Sequence, residues 1–249
     1  MTRKRILITG ASAGLGLGMA KRFAAMGRDL ALCARRLDAL ESARDELLAI
    51  NPDIKVSLRA LDVNDHAQVF EVFRAFQNEF GELDRIIVNA GIGNGAPIGT
   101  GGFQHNLATA QTNFCAALAQ CEAAVEIFRA QNHGHLVTLS SMSAWRGLKG
   151  SIATYAATKA GLANLSEGIR IDLLDTPIKV TTLFPGYILT DINRDFKNAP
   201  FRVDLETGCK ALVKAIESET AEACVPSWPW TAMKRVMLAA PLSMLAKLS

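Results

Sequence analysis

The sequence has few of the features that would assign it to a metal-binding, disulfide-rich or nucleic-acid-binding class. Five cysteines stand among its 249 residues and none forms a CxxC pair, so we expect reduced, buried thiols rather than a zinc site or disulfide framework. The net charge is only +3 and the basic residues are scattered, which is not typical of a nucleic-acid-binding surface. We therefore expect neither a bound metal nor a nucleic-acid partner.

Long apolar runs are also missing. The amino terminus, MTRKRILITG, has three basic residues followed only by the apolar stretch Ile6 to Ile8, which is too short for the core of a signal peptide. No uninterrupted apolar run approaches the ~20 residues that a membrane-spanning helix needs. The expected location is therefore cytoplasmic.

What the sequence does contain is a regular alternation of strand and helix patterns. Seven short apolar runs predict strands: KRILITG, DLALCARR, IKVSLRALDV, LDRIIVNAG, GHLVTLSS, IKVTTLFPG and EACVP. Strands that are apolar throughout are typical of a parallel sheet covered on both faces, and right-handed crossovers between them give a doubly wound arrangement. The sequence therefore predicts an α/β protein with one Rossmann-fold domain over residues 1–249, built on a mostly parallel, seven-stranded sheet.

A glycine-rich turn follows the first predicted strand. In ITGASAGLGLG, Gly10, Gly14 and Gly16 let the backbone bend tightly and let a pyrophosphate approach the amino terminus of the next helix. Tight turns need glycine whether or not they bind a ligand. This turn lies between a strand and a helix, which favours the interpretation as a phosphate-binding turn. The second glycine-rich stretch, AGIGNGAPIGTGG, meets Pro97 instead of a helix, so it predicts an active-site loop.

The end of the second predicted strand indicates which dinucleotide is bound. An acidic residue there would bond the ribose hydroxyls of NAD, but the run CARRL places Arg35 and Arg36 at this turn, with no carboxylate before Asp38. Guanidinium groups form bidentate bonds with phosphate, so the pair favours the 2′-phosphate of NADP(H). In the alternative interpretation, the two arginines are only solvated residues at the start of a helix. NAD(H) is the less favoured cofactor.

The run TYAATKAG places Tyr155 and Lys159 one helical turn apart on the same face. An ammonium beside a phenol favours the phenolate, so we expect Lys159 to lower the pKa of Tyr155 from about 10. Tyr155 would then serve as a proton donor and acceptor near neutral pH. A surface tyrosine packed on a lysine stem is the structural alternative.

Taken in order, TGASAGLG, LDV, NAG, the serine pair and YAATK give a chain that resembles the short-chain dehydrogenase/reductase family from about Arg5 to Asp191. The resemblance implies an NADP(H)-dependent oxidoreductase that interconverts a carbonyl and an alcohol. It also implies a set of cofactor-binding residues. These are Gly10, Ser12, Ala13, Gly14, Leu15, Gly16, Arg35, Arg36, Asp62, Val63, Asn89, Ala90, Gly91, Tyr155, Lys159, Pro185, Gly186, Ile188 and Thr190.

The resemblance also implies catalytic roles. Tyr155 is the general acid or base, and Lys159 lowers its pKa and bonds the nicotinamide ribose. Asn113 anchors a water relay to the lysine, and Ser141 polarises the carbonyl oxygen. Ser141 precedes Tyr155 by 14 residues, one more than is usual in the family, so Ser143 stays open as the alternative catalytic serine.

The substrate and the assembly are less well determined. Trp145, Tyr187, Ile188 and Phe196 fall in segments that border the family's substrate cleft, which favours an apolar or bulky carbonyl compound, although ordinary packing explains them equally. The long apolar helices over about 106–131 and 151–174 correspond to those through which the family forms dimers or tetramers. A non-catalytic NADP-binding scaffold and an NAD-dependent alcohol dehydrogenase are the competing functions.

The tail over residues 228–249 is treated separately, because its composition differs from that of the rest of the chain. A packed terminal helix is the default interpretation of its apolar stripe. The alternatives are a lid over the cleft, a dimer contact or a basic amphipathic helix that rests on a membrane surface. The stripe consists of Met233, Met237, Leu238, Leu242 and Leu245.

Overall fold

A seven-stranded sheet forms the centre of the protein, for which we describe a computed structural model over residues 2–190 and 199–248. Every strand pairs in parallel, and the strands, numbered in chain order, lie side by side in the order 3-2-1-4-5-6-7. The predicted doubly wound α/β fold is therefore confirmed. The strands are β1 Arg5–Thr9, β2 Asp29–Ala34, β3 Val56–Ala60, β4 Arg85–Val88, β5 Gly134–Leu139, β6 Ile178–Pro185 and β7 Glu222–Val225.

Helices connect the strands and cover both faces of the sheet. Asp65 and Asp204 cap the amino termini of the helices His66–Phe80 and Leu205–Glu217, where each carboxylate accepts a backbone N–H from the first turn. The long helix predicted over 106–131 begins earlier, at Phe103, and one π-helical turn, Gln111–Cys115, divides it into two parts. The helices are α1 Gly14–Ala25, α2 Leu37–Ile50, α3 His66–Phe80, α4 Phe103–Ala110, α5 Ala116–Gln131, α6 Ala153–Asp172, α7 Leu205–Glu217, α8 Ser227–Ala239 and α9 Leu242–Leu248.

The core consists of two apolar layers, one on each face of the sheet. Successive residues of a strand point to opposite faces, so Ile6 and Ile8 pack beneath α1, α2 and α7, whereas Leu7 packs beneath α3, α5 and α6. Full burial of each such side chain stabilises the fold by about 1.5–3 kcal/mol. The strand order reverses between β1 and β4, and this switch point opens a crevice at the carboxyl edge of the sheet.

The apolar stripe of the tail is divided between the core and the surface. Met237 and Leu245 are buried against the body of the protein, whereas Leu238 and Leu242 are exposed. The tail thus packs against the protein through Met233, Met237 and Leu245, and two of the five residues of the stripe take no part in the packing. In the described part of the chain, no helix is both long and apolar enough to cross a membrane.

The helices expected to form a subunit interface carry exposed apolar side chains. Leu118 lies on α5, and Ile171 lies on α6 with Leu174 just beyond it; all three are exposed. The predicted homodimer or homotetramer thus has apolar surface available on the expected helices. The assembly itself stays a prediction.

A buried ionic network closes the amino-terminal edge of the sheet, opposite the crevice. The Arg85 guanidinium is 1% exposed and pairs with Glu217, while its Nε donates to His135 Nδ1 at 2.9 Å. His135 Nε2 must then carry the proton, which it donates to Thr181 Oγ1 at 2.8 Å. Burial, and then the nearby charges of Arg85 and Arg3, hold the pKa of His135 well below its usual range.

This histidine makes stability depend on pH. Below about pH 6.5 the unfolded chain binds a proton at His135 that the folded chain does not. The free energy of unfolding therefore falls by up to about 1.4 kcal/mol for each unit by which the pH is lowered. We predict that His135→Gln flattens this part of the profile between pH 6.5 and 5 in urea unfolding experiments. The exposed His105 provides the matched control, because His105→Gln should keep the wild-type slope. Equal slopes for the two variants would contradict the prediction.

Candidate active site

A cavity of about 510 Å³ lies in the crevice at the carboxyl edge of the sheet. The segments that follow β1 to β6 all contribute to its walls, because the carboxyl ends of parallel strands meet at one edge. Every predicted cofactor-binding residue except Gly16 lines it, and so does Ser141. The lining residues that the sequence did not indicate are Ala34, Leu61, Asn64, Ile92, Ala108, Thr112, Leu139 and Ser140.

The glycine-rich turn has the geometry of an anion cradle. Gly10 and Gly14 have φ angles of 64° and 55°, a left-handed conformation that favours glycine. Helix α1 begins directly behind this turn, and the residue at its amino-terminal cap, Ala13, offers no side chain to the first N–H groups. Those groups and the helix dipole are therefore directed at whatever occupies the cavity, which suits a pyrophosphate.

Gly16 has a different role from the one predicted. A Cβ at this position would lie 2.4 Å from the Gly10 carbonyl oxygen and 2.8 Å from Asn89 Nδ2. Gly16 therefore lets α1 approach the turn after β1, and it does not line the cavity. Its contribution to a bound dinucleotide would be indirect, through the position of α1.

Arg35 and Arg36 extend the cavity beyond the end of β2. Both residues are exposed and line the cavity. Neither guanidinium has an ion-pair or hydrogen-bond partner among residues 2–190 and 199–248. Arg22 and Arg28, by contrast, are each paired with a glutamate. Two unpaired cations at this turn are available for an anion.

Hydrogen bonds from Asn89 hold the two sides of the switch point together. Its Nδ2 donates to the Thr9 carbonyl oxygen at 2.8 Å, and its backbone N–H donates to Thr9 Oγ1 at 3.0 Å. Thr9, which the sequence analysis missed, is completely buried and thus ties the end of β1 to the end of β4. On the far wall, Asp62 accepts hydrogen bonds from the backbone and side chain of Asn64.

Tyr155 and Lys159 lie near the amino end of α6 and face the cavity. Lys159 is 6% exposed, and its Nζ donates to the Leu139 carbonyl oxygen at 2.7 Å while lying 5.7 Å from the Tyr155 ring centroid. Burial lowers the pKa of Lys159 to about 8. The ammonium thus lies beside the phenol, as the helical spacing predicted.

The prediction that Lys159 lowers the pKa of Tyr155 is wrong for this structure. Burial raises the pKa of the phenol, and the neighbouring Ser141 side chain acts in the opposite direction without overcoming it. The physical reason is desolvation: burial penalises the phenolate, while the same surroundings disfavour the ammonium that was to stabilise it. Tyr155 therefore holds its proton at neutral pH.

Ser141 is the serine that contacts the phenol. Its side chain is close enough to act on the pKa of the Tyr155 phenol, and its Oγ accepts the backbone N–H of Ser143 at 3.2 Å. The Ser143 Oγ is buried without a hydrogen-bond partner in the described part of the chain. Between 142 and 152 the chain forms two 3₁₀ turns, and β5 pairs along its length with β4 and β6.

Asn113 does not line the cavity, and both ends of its amide bind the Ile92 backbone. Its Oδ1 accepts the Ile92 N–H at 2.8 Å, and its Nδ2 donates to the Ile92 carbonyl oxygen at 2.8 Å. A Cβ at Gly91 would lie 3.1 Å from Asn113 Oδ1 and 3.6 Å from Lys159 Nζ, so these two groups flank Gly91. In this structure Asn113 holds the loop after β4, and its role in a water relay stays a prediction.

A smaller cavity of about 120 Å³ adjoins the first and shares Ser141, Tyr155 and Gly186 with it. Of the residues predicted to border the substrate, Tyr187 and Ser143 line this cavity, whereas Ile188 lines the larger one. The remaining lining residues are Gly93, Met142, Leu148, Ser151 and Ile152. Tyr155 and Ser141 therefore stand where the two cavities meet.

One of the predicted substrate contacts, Trp145, does not lie in this cavity. Trp145 lines neither cavity, because its ring is buried with its centroid 5.9 Å from that of Phe184. The prediction for Trp145 is therefore corrected: it belongs to an apolar cluster behind the cavity wall. Phe196 lies outside the described residues.

Comparisons with known proteins bear on the class of protein and on the fold. Residues 4–200 match the family model for short chain dehydrogenases. An uncharacterised oxidoreductase from Mycobacterium tuberculosis is 50% identical over 97% of this chain and 95% of its own length. One from Myxococcus xanthus is 33% identical over 92% and 89%, respectively. The crystal structure of levodione reductase has a similar fold, with a TM-score of 0.81 at 24% identity, covering 90% of this chain and 95% of that one.

The close approach at Gly16 leads to a stability prediction. We expect Gly16→Ala to lower the free energy of unfolding by about 1–3 kcal/mol, because the added methyl group overlaps the Gly10 carbonyl oxygen. Gly168, exposed on α6 with no atom within 4 Å of an added Cβ, is the matched control. Gly168→Ala should stabilise the protein by about 0.5–1 kcal/mol in the same urea titration. Similar values for both variants would show that the approach at Gly16 is not tight.

Proposed function

Because the chain belongs to the short-chain dehydrogenase/reductase family, we propose that it is an NADP(H)-dependent oxidoreductase that interconverts a carbonyl compound and its alcohol. One observation carries the proposal. Tyr155 and Ser141 both stand where a dinucleotide-sized cavity meets a smaller apolar one. A proton donor at such a junction can serve a substrate in one cavity beside a cofactor in the other.

The residues of the larger cavity fit a dinucleotide from end to end. The turn at Gly10 and Gly14 and the uncapped start of α1 suit the pyrophosphate. Asp62 and the loop after β3 would hold the adenine end, and Lys159 would bond the ribose at the opposite end. When bound, the cofactor supplies or accepts the hydride. The protein's contribution is to position the groups and to provide the electrostatics.

Tyr155 and Ser141 would then act on the substrate oxygen. Because burial raises the pKa of Tyr155, its hydroxyl is protonated at neutral pH and can donate a hydrogen bond and then a proton to a carbonyl oxygen. Ser141 would polarise the same oxygen and stabilise the charge that develops on it. With a pKa of about 8, Lys159 is mostly protonated at pH 7, and its charge would favour the phenolate left after proton transfer.

Removal of the phenolic hydroxyl tests the proposed acid. Tyr155→Phe should reduce kcat by at least about a thousandfold, because the proton donor is lost while the cavity keeps its shape. The measurement is NADPH oxidation followed by absorbance over a panel of carbonyl compounds. The dissociation constant for NADPH, taken from fluorescence quenching, should change by less than about threefold. Turnover at the wild-type rate would refute the role of Tyr155.

We further propose that Arg35 and Arg36 select NADP(H) over NAD(H). Two observations support this proposal. Neither guanidinium is paired with a carboxylate within the described chain, and both residues line the cavity. A 2′-phosphate carries a charge that such donors bind with charge-assisted hydrogen bonds, each stronger than a neutral one. The rival, an NAD-dependent alcohol dehydrogenase, has no corresponding use for two cations there.

A double variant tests this selectivity. Arg35→Ala/Arg36→Ala should weaken NADPH binding by about 10- to 100-fold and change NADH binding by less than about threefold, since only NADPH has the 2′-phosphate. Arg44, exposed on α2 and paired with Asp45 away from the cavity, is the control, and Arg44→Ala should leave both affinities unchanged. Tighter binding of NADH than NADPH by the wild-type protein would support the NAD-dependent alternative.

The smaller cavity indicates the type of carbonyl compound. The wall of this cavity is mostly apolar, so an apolar ketone or aldehyde fits better than a charged one. The apolar residues are Met142, Leu148, Ile152 and Tyr187.

A non-catalytic NADP-binding scaffold is the second candidate function. It would need neither a hydroxyl pair nor a buried lysine at the junction of two cavities, and a protein that binds NADPH but reduces none of the carbonyl panel would favour it.

A further inference from the structure

We propose that Arg146 is a positioning residue that fastens the carboxyl-terminal segment to the substrate loop and thereby sets the affinity for the carbonyl compound. The substrate loop is defined as residues 142–152, and the carboxyl-terminal segment as α8 and α9. The inference rests on the proposed function, because it assigns the smaller cavity to the substrate. Arg146 lines neither cavity, so its effect must pass through the residues that do.

The Arg146 side chain binds the carboxyl end of α8. Its Nη1 lies 2.8 Å from the Met237 carbonyl oxygen, 3.0 Å from that of Leu238 and 2.9 Å from that of Ala240. The last carbonyl groups of a helix have no partners within the helix, and the dipole makes this end negative. A partly buried guanidinium at this place therefore satisfies several acceptors at once. From the same loop, Lys149 Nζ donates to the Ala246 carbonyl oxygen in α9.

Apolar packing extends this contact to the wall of the smaller cavity. Trp145 of the loop and Met237 of α8 belong to one buried cluster, together with Trp230 and Phe184. Met142 and Leu148, which line the smaller cavity, pack against the same cluster. The position of these two side chains thus depends on where α8 lies.

The carboxyl-terminal segment also supports the opposite wall of the cavity. A Cβ at Gly186 would lie 2.0 Å from Trp230 Nε1, so the indole rests directly on the Gly186 backbone. The Trp230 ring also packs against Tyr187 with a centroid separation of 5.8 Å. Gly186 and Tyr187 both line the smaller cavity. One segment therefore supports both walls.

Gly186 lines both cavities, but the dinucleotide cavity is built from elements outside this segment. None of residues 199–248 lines the larger cavity, and its glycine-rich turn and the arginines after β2 lie on other elements. Displacement of α8 should therefore change the affinity for the carbonyl compound and spare the affinity for NADPH. A general loss of stability would instead weaken the binding of both the carbonyl compound and NADPH.

A pair of arginine variants tests the proposal. Arg146→Met should raise KM for the carbonyl compound by about tenfold, with kcat within about threefold and the NADPH dissociation constant within about twofold of wild type. Arg146→Lys should recover part of the loss, because an ammonium can reach some of the same carbonyl groups. Arg170 is the control, since it donates to the Val180 and Ala221 carbonyl oxygens away from both cavities. Arg170→Met should lower the melting temperature without changing KM.

Hydrogen exchange provides a readout that needs no substrate. Backbone amides of the substrate loop and of Gly186 and Tyr187 should exchange faster in Arg146→Met than in Arg170→Met. Faster exchange confined to α8 and α9, or equal KM values in the two variants, would overturn the proposal. If the wild-type protein reduces no carbonyl compound, the proposed function fails, and the exchange pattern still decides whether Arg146 positions the loop.

Discussion

The site depends on a reciprocal pair of hydrogen bonds between the end of β5 and helix α6. Ser140 Oγ donates to the Lys159 carbonyl oxygen at 2.8 Å, and Lys159 Nζ donates to the Leu139 carbonyl oxygen at 2.7 Å. Both bonds are buried, where loss of one partner leaves an uncompensated polar group, so they fix the helix against the strand. Because Ser141 follows the strand and Tyr155 lies on the helix, the same bonds set the distance between the two hydroxyl groups.

Burial of this junction also decides the protonation states. The sequence pattern places a lysine one turn from a tyrosine, and the pattern alone suggests an acidic phenol. The structure shows the opposite balance, because desolvation acts on both groups: the pKa of Tyr155 is raised and that of Lys159 is lowered to about 8. A phenol that keeps its proton is a better donor than acceptor at neutral pH.

Local features of the chain could be predicted from the sequence, and features that depend on distant contacts could not. Apolar runs and glycine turns are local, so the strands and their parallel pairing follow from spacing and chirality, whereas most residues of the larger cavity were predicted from the family resemblance. Gly16 looked like a cofactor residue because the motif gives its position but not the carbonyl oxygen of Gly10 that its helix must approach. Trp145 lies near the serine in sequence, yet its ring is directed into a cluster with residues some 40 to 90 positions away.

The two edges of the sheet show how the same chain separates stability from chemistry. At the amino-terminal edge, Arg85 and His135 are buried, and carboxylates and a hydroxyl occupy their donors, so this network is closed to ligands. At the carboxyl edge, Arg35 and Arg36 are unpaired within the described chain and glycines keep the backbone open. An unpaired cation contributes little to the stability of the fold, so these two arginines are available to bind an anion in the crevice. The carboxyl-terminal segment lies between these extremes, because its contacts stabilise the fold and shape the cavity at the same time.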